Sequence, residues 1–348
     1  METKIIRINN LAEQREELVA CADIIKRDGL VIFPTETVYG LGANALSALG
    51  AKRIYEAKGR PSDNPLIIHV ANPEDASLYA YTSDIYFQLA DRFMPGPLTV
   101  IMKARDNVPL QTRGGLSTVA VRCPENPIAH ELIALSGVPI AAPSANLSGS
   151  PSPTTPEHVI DDMLGRVDAI IDGGSCEFGL ESTIVKIEDD GSLTLLRPGK
   201  ITPEDLLSVT EKVNIASAVT NALAKGEVAL SPGMKYRHYA PKAPLTLLNG
   251  DINKVIKFLS GIDTADVALI AYSEHIELIK ASFPSLKIYP FGLMDDEAEQ
   301  AKSLFAILRE IDKGNFKIIY APLPREVGIG LALYNRMIRA SSHTIINL

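Results

Sequence analysis

The chain has 348 residues, 46% of them apolar, a formal net charge of -8 and three cysteines. That apolar content supports a sizeable core and about two domains, which excludes a largely disordered chain. The acidic balance excludes a global basic field able to hold a nucleic-acid duplex and leaves room only for a local basic cleft. Cys21, Cys123 and Cys176 lie far apart with no C-x-x-C pair, so they read as reduced and structural rather than as a zinc or dithiol site. No run approaches the roughly 18 apolar residues of a membrane span. The start METKIIRINN lacks the basic-then-apolar order of a secretory signal, so a cytoplasmic location is expected.

In the N-terminal part, Gly and Pro separate short apolar runs. Leu11 to Ile25 and Ala48 to Ala57 carry helical spacing, while Leu30 to Phe33, Leu66 to Val70 and Leu98 to Met102 read as strands. An α/β domain with a mixed sheet is predicted. Directly after the first of these strands, Pro34 to Asn44 (PTETVYGLGAN) gathers hydroxyls, a carboxylate and flexible glycines where open α/β sheets bind ligands. The same residues also suit a capped turn whose Thr and Glu satisfy backbone amides. Lys58-Gly59-Arg60-Pro61-Ser62-Asp63-Asn64-Pro65 follows a helix and puts two cations in a stiffened loop, a pattern that suits polyphosphate. It equally suits a solvated helix C-terminus favoured by the helix dipole.

Strand alternation sharpens this. In Leu66 to Val70, residues Leu66, Ile68 and Val70 share a face, leaving Ile67 and His69 on the other. In Ser117 to Arg122, Val119 and Val121 oppose Thr118, Ala120 and Arg122; in Glu181 to Ile187, Thr183, Val185 and Ile187 oppose Ser182 and Lys186. If these strands share a sheet, their polar groups line one concave surface. A lone His or Arg on a strand is usually a satisfied structural residue, and only the repetition favours a site. Between these strands, Ile140 to Thr154 (IAAPSANLSGSPSPT) ends a strand in small residues and then supplies hydroxyls able to bind phosphate oxygens. It also suits a mobile Ser/Pro loop. Arg197, in Leu-Arg-Pro-Gly, is a single cation at a strand end.

Ser231 to Lys242 (SPGMKYRHYAPK) is too polar for a core element and too rich in aromatics and cations for an inert tether, so it is expected to be a linker that also touches a ligand. Beyond it the pattern alternates: strand Leu245 to Leu248, helix Ile252 to Leu259, strand Val267 to Tyr272, helix Glu274 to Ala281, strand Leu286 to Tyr289. A helix with Ala301, Leu304, Phe305 and Leu308 on one face, strand Phe316 to Tyr320 and helix Gly330 to Ala340 follow. Repeated β-then-α order implies a parallel, doubly wound sheet. There is no P-loop, no G-x-G-x-x-G after a strand and no metal-ligand spacing, and Gly328-Ile329-Gly330 is too short to name a dinucleotide site. Without a local nucleophile signature, positioning and charge stabilisation are the expected means of catalysis.

PTETVYGLGANA, the Lys58-x-Arg60 pair with SDNPL, PGPLT at Pro95 to Thr99, VAVRCP, APSANLSG, GLESTIV and LRPG occur in that order. Together they resemble the YrdC/Sua family of threonylcarbamoyl-AMP synthases over almost the whole chain, and the length with SPGMKYRHYAP resembles the family's long type. The resemblance implies a YrdC-like twisted mixed sheet with a concave ligand face over residues 1–210, a linker over 211–243 and a smaller Rossmann-like parallel α/β domain over 244–348. It implies condensation of L-threonine, bicarbonate and ATP, with Mg2+ on the nucleotide, into threonylcarbamoyl-adenylate and pyrophosphate. That is the first step of t6A modification of ANN-decoding tRNAs. The product would pass to a tRNA threonylcarbamoyl transferase, with tRNA itself at most a weak contact.

By the same resemblance Thr37, His69, Arg122, Ala142 and Ser182 contact L-threonine, Arg122 being suited to its carboxylate. Arg60, Asn64, Thr118, Ser144, Ser152 and Arg197 hold ATP, Lys58 and Arg60 supply catalytic charge, and Tyr236 and His238 close the nucleotide site. No tightly bound organic cofactor and no protein-held metal are implied. The competing expectation is an RNA-binding module without adenylating activity, against which the acidic charge and the lack of base-stacking aromatic motifs count. The carbamoyl-adenylate chemistry of hydrogenase maturation would need zinc-finger and acylphosphatase modules, for which this chain has neither the cysteines nor the length.

Overall fold

The computed structural model describes residues 2–222, 230–231 and 238–348. Two sheets organise them, one of eleven strands and one of five. The middle of the large sheet is mixed, as expected. Ile67–His69 runs parallel to Thr118–Arg122, Leu98–Lys103 runs antiparallel to Thr118–Arg122 and parallel to Thr183–Ile187, and Leu193–Arg197 closes antiparallel on Thr183–Ile187.

The alternation read from the sequence sets the two faces. Leu66, Ile68, Val70, Val119, Val121 and Val185 enter the main core, whereas Ile67, Ala120 and Ile184 enter a small cluster on the opposite face. Elsewhere on that opposite face, Phe33, Ile140 and Ala142 pack with Leu18, Ile25, Ala129 and Leu132 of the helices Arg15–Lys26 and Pro127–Ser136. Polar side chains of the central strands are left facing the gap between the two clusters. The sheet also continues past residue 210: Val213–Ile215 pairs in parallel with Leu193–Arg197, so the stretch expected as linker starts as an edge strand.

The helix Ala48–Lys58 shows how local signals place the loop beyond it. Ser47 accepts from the Gly50 amide at 3.2 Å, and Gly59 ends the helix in the left-handed region at φ 60°. Lys58 thus closes the last turn and Arg60 opens the loop.

The five strands of the second sheet lie in the order Lys287–Pro290, Val267–Ala271, Ile318–Pro322, Leu245–Asn249, Ile345–Asn347, all parallel. The parallel α/β expectation holds, although Ile318–Pro322 separates the first two strands, unlike the order of dinucleotide-binding sheets. The short final strand Ile345–Asn347 was not expected. At the Gly328–Ala340 helix the Gly330 amide donates to Glu297 Oε2 at 3.1 Å, and a Cβ on Gly330 would lie 2.7 Å from Arg325 O. A carboxylate therefore occupies that helix start, and no phosphate seat is open there.

The two sheets share a core. Val38, Phe178, Leu180 and Tyr239 are buried with Leu304, Phe305 and Leu308 of the helix Glu297–Ile311. Gly179, at φ +87°, passes so close to that helix that a Cβ would lie 2.6 Å from the Cα of Lys302. Arg309 of the same helix grips Asp162 at 2.7 and 3.2 Å and the Pro151 carbonyl at 2.6 Å. Among the described residues no helix is long and apolar enough to cross a membrane.

Candidate active site

Register brings the polar face together. His69 is the strand partner of Arg122, Thr99 is the partner of Arg122 on its other side, and Leu98 pairs with Thr183, next to Ser182. Thr99 Oγ1 and Ser182 Oγ are 2.8 Å apart, and Arg197 donates from Nη2 to Ser182 Oγ at 3.2 Å and from Nε to the Ser182 carbonyl at 3.0 Å. A continuous polar row, His69, Arg122, Thr99, Ser182 and Arg197, therefore crosses neighbouring strands, every member buried.

Arg122 is held from the PTETVYG turn. It pairs with the Glu36 carboxylate and donates to Thr37 Oγ1 at 3.0 Å, while the second Glu36 oxygen accepts from the Glu125 amide at 3.2 Å. The Glu36 carboxylate thus already engages part of the fork expected to receive a substrate carboxylate. His69 Nδ1 lies 3.1 Å from the Ile67 carbonyl and 3.3 Å from that of Ile140, so its proton sits on Nδ1 and Nε2 is an acceptor. Burial, with Arg122 adding to it, pulls its pKa down to about 3, so the ring is neutral near pH 7.

The loop cations are not solvated. Lys58 is 3% exposed and donates to the Ser144 carbonyl at 2.5 Å and to the Asn146 carbonyl. Burial first, and Arg60 next, hold its pKa well below the ordinary lysine range. Lys58 thereby ties the 58–65 loop to the 143–152 loop, where Ser144 Oγ donates to Asn146 Oδ1 at 2.5 Å. Arg60 donates from Nη2 to the carbonyls of Asn64 and Pro65 at 3.3 and 3.2 Å, and burial draws its pKa to about 10. Among the described residues its Nε is buried without a partner, as are Asn64 Oδ1 and His238 Nε2. Ser152 donates to the Glu181 carboxylate.

Arg60, His69, Arg122, Ala142, Ser144, Arg197 and His238 all line one cavity of about 50 Å3, together with Glu181 and Tyr239. Thr37, Ser182, Ser152 and Lys58 stand directly behind that wall through the bonds above. Thr118 does not join them: it is partly exposed at the opposite end of its strand from Arg122, paired with Lys103. Tyr236 lies outside the described residues. Sequence reasoning gave Glu36 only the amide-capping role, which Thr35 and Glu36 do play, and gave Glu181 none, although both sit inside the quoted motifs. Nor did it single out Arg336, a fully buried arginine of the helix Gly328–Ala340 that pairs with Glu181 at 2.9 Å.

The family model Sua5/YciO/YrdC, described as telomere recombination, matches residues 23–199, and the model described as threonylcarbamoyl-AMP synthase, C-terminal domain, matches residues 201–342. The chain belongs to the Sua5/YciO/YrdC family. Within it, threonylcarbamoyl-AMP synthase of Pyrococcus abyssi is 41% identical over 351 residues, covering 99% of this chain and 100% of that one. The Bacillus subtilis threonylcarbamoyl-AMP synthase is 38% identical, covering 97% and 96%. A crystal structure of the family member Sua5 from P. abyssi complexed with L-threonine superposes with a TM-score of 0.89 at 39% identity, covering 100% of both chains.

Proposed function

We infer that the chain is a threonylcarbamoyl-AMP synthase, which joins L-threonine, bicarbonate and ATP into threonylcarbamoyl-adenylate with release of pyrophosphate and water. Full-length likeness to enzymes of that name supports the activity. The observation that extends it to residues is the buried row from His69 to Arg197 beside the unpartnered Arg60 Nε and His238 Nε2, on one cavity wall. Buried polar atoms left unpaired are costly, and a ligand rich in donors and acceptors relieves them.

In this reading Thr37, His69, Arg122, Ala142 and Ser182 hold threonine, and Arg60, Asn64, Thr118, Ser144, Ser152 and Arg197 hold ATP, with Tyr236 and His238 closing the nucleotide site. The threonine amine captures bicarbonate as a carbamate, whose oxygen attacks the α-phosphorus in line, expelling pyrophosphate. Such a displacement needs alignment and neutralised charge rather than a protein nucleophile. Arg60 and Arg197 supply the charge, joined by Lys58 as the anionic nucleotide favours its protonated form, and Mg2+ arrives on the nucleotide phosphates. A His69 of such low pKa is a hydrogen-bond acceptor for threonine, not a proton-abstracting base at neutral pH. A cavity of about 50 Å3 is far below the roughly 300 Å3 of an occupied ligand pocket, so its lining must rearrange to admit ATP.

Calorimetric titration tests the threonine half. L-Threonine is expected to bind, and L-valine, its isostere without the hydroxyl, to bind at least about 100-fold more weakly; equal affinities would overturn a hydroxyl-reading site.

A further inference from the structure

We propose that Arg336, on the C-terminal helix Gly328–Ala340, is a positioning residue for the nucleotide half of the site, through which the second sheet shapes the pocket of the first. This rests on the synthase reading above. Arg336 has no exposed surface, and apart from a 3.0 Å bond from Nη1 to its helix neighbour Asn335, its guanidinium bonds are to Glu181 of the pocket wall and to Pro198, next to the wall residue Arg197. Nε donates to Glu181 Oε2 at 2.9 Å, Nη2 to the Glu181 carbonyl at 3.2 Å and Nη1 to the Pro198 carbonyl at 2.7 Å. Its carbon centre lies 5.7 Å from the ring centroid of Tyr239.

Each contact leads to one step of the wall. The other oxygen of Glu181 accepts from Ser152, so the carboxylate is a bridge from the C-terminal helix to the 143–152 loop. Pro198 follows Arg197, the cation whose Nε and Nη2 hold Ser182. Tyr239, beside His238, stacks on Phe305 at 5.4 Å and lines the cavity. One planar cation thus fixes the positions of Ser152, Arg197 and Tyr239 together, a task matched to a rigid fork and not to a lysine. The neighbouring Asn335 Nδ2 bonds the Val219 carbonyl at 2.6 Å, and Arg339 the Ala218 carbonyl, which seats the helix against the edge of the large sheet. Burial pushes the Glu181 pKa up, but Arg336, Arg197 and the Ser152 hydroxyl together more than offset it and keep the carboxylate ionised.

The test is steady-state turnover of full-length Arg336→Gln and Arg336→Lys, with KM for ATP and for L-threonine read separately from kcat per folded molecule. For Arg336→Gln the expected result is a rise in KM for ATP of about tenfold or more with a smaller change for threonine, and Arg336→Lys is expected to recover little of it. A purely structural role predicts instead a lower melting temperature and a lower active fraction with both KM values within twofold of wild type; that outcome overturns the proposal. If Arg336→Gln does not fold because Glu181 is left unpaired, the double variant Glu181→Gln/Arg336→Gln removes the stranded charge. It is compared with Glu181→Gln alone: a higher KM for ATP in the double variant supports positioning, and equal values overturn it. A wild-type enzyme that binds ATP but shows no threonine-dependent turnover would fail the synthase reading instead. The effect of Arg336→Gln on ATP affinity, read by direct titration, would still decide the positioning role.

Discussion

The two sheets are both α/β, yet they treat their faces differently. The mixed sheet buries one face fully and leaves the middle of the other to His69, Arg122, Thr99, Ser182 and Arg197. The parallel sheet covers both faces, one with Ile252–Leu259 and Ile276–Ser282, the other with Glu297–Ile311 and Gly328–Ala340. Antiparallel pairing frees a sheet from crossover helices, so alternate side chains of a mixed sheet can be polar and still form a wall; a parallel sheet has no such face to spare. The second sheet's helices contribute arginines where they meet the first: half-buried Arg309 and buried Arg336 and Arg339 all bond groups of the N-terminal part. One sheet is organised as a site and the other as its support.

The sharpest break in that division is Arg122→Ala. It strands the Glu36 carboxylate, and losing one partner of a buried pair costs about 3–5 kcal/mol. Chemical denaturation should show this, with threonine binding lost in calorimetry. Glu36→Gln/Arg122→Met should regain stability but not threonine binding; normal binding by that pair would remove Arg122 from the substrate contacts. Lys58→Met follows, with turnover lower by about 100-fold or more from lost charge and a loosened Ser144 to Asn146 loop. Near-normal pyrophosphate release would argue against the phosphate role.

The junction is probed by glycine. Gly179→Ala should cost about 2–3 kcal/mol, because its Cβ meets the Lys302 backbone and its φ is +87°. Gly191→Ala, at φ +78° with nothing within 4 Å, should cost only about 1 kcal/mol. Comparable melting temperatures for the two would mean the helix yields easily and the junction is soft. Smallest is the pH effect. His69 and His238 have folded pKa values of about 3, below their unfolded value, so the unfolded chain binds more protons as pH falls. Their contribution is present above about pH 6.5 and is lost progressively toward pH 3, about 1 kcal/mol per group at pH 5.5. A denaturation midpoint that does not fall between pH 7 and 5.5 would mean the two rings are solvated.

Much of this was legible in the chain. Period-two alternation in Leu66 to Val70 and Ser117 to Arg122 placed His69 and Arg122 on the face opposite the main apolar set, and the structure puts them in register. The C-terminal β-then-α order was read almost element by element, because each apolar run is bounded by turns. What the sequence could not display is where a buried charge finds its partner. Glu36 and Arg122 are distant in the chain, as are Glu181 and Arg336, and nothing local in either motif signals the pairing. Lys58 suited a solvated helix end equally well, and only the fold shows it bonded to loop carbonyls. The strands Val213–Ile215 and Ile345–Asn347 are too short to carry a period of their own and form by adding to an existing edge.

The most direct measurement is pyrophosphate release from ATP and Mg2+, with and without bicarbonate, in the presence of L-threonine, L-valine or no amino acid. The predicted result is release that requires both L-threonine and bicarbonate. Release indifferent to either, or none from folded protein that binds ATP, would contradict the assignment of this pocket to threonylcarbamoyl-adenylate synthesis.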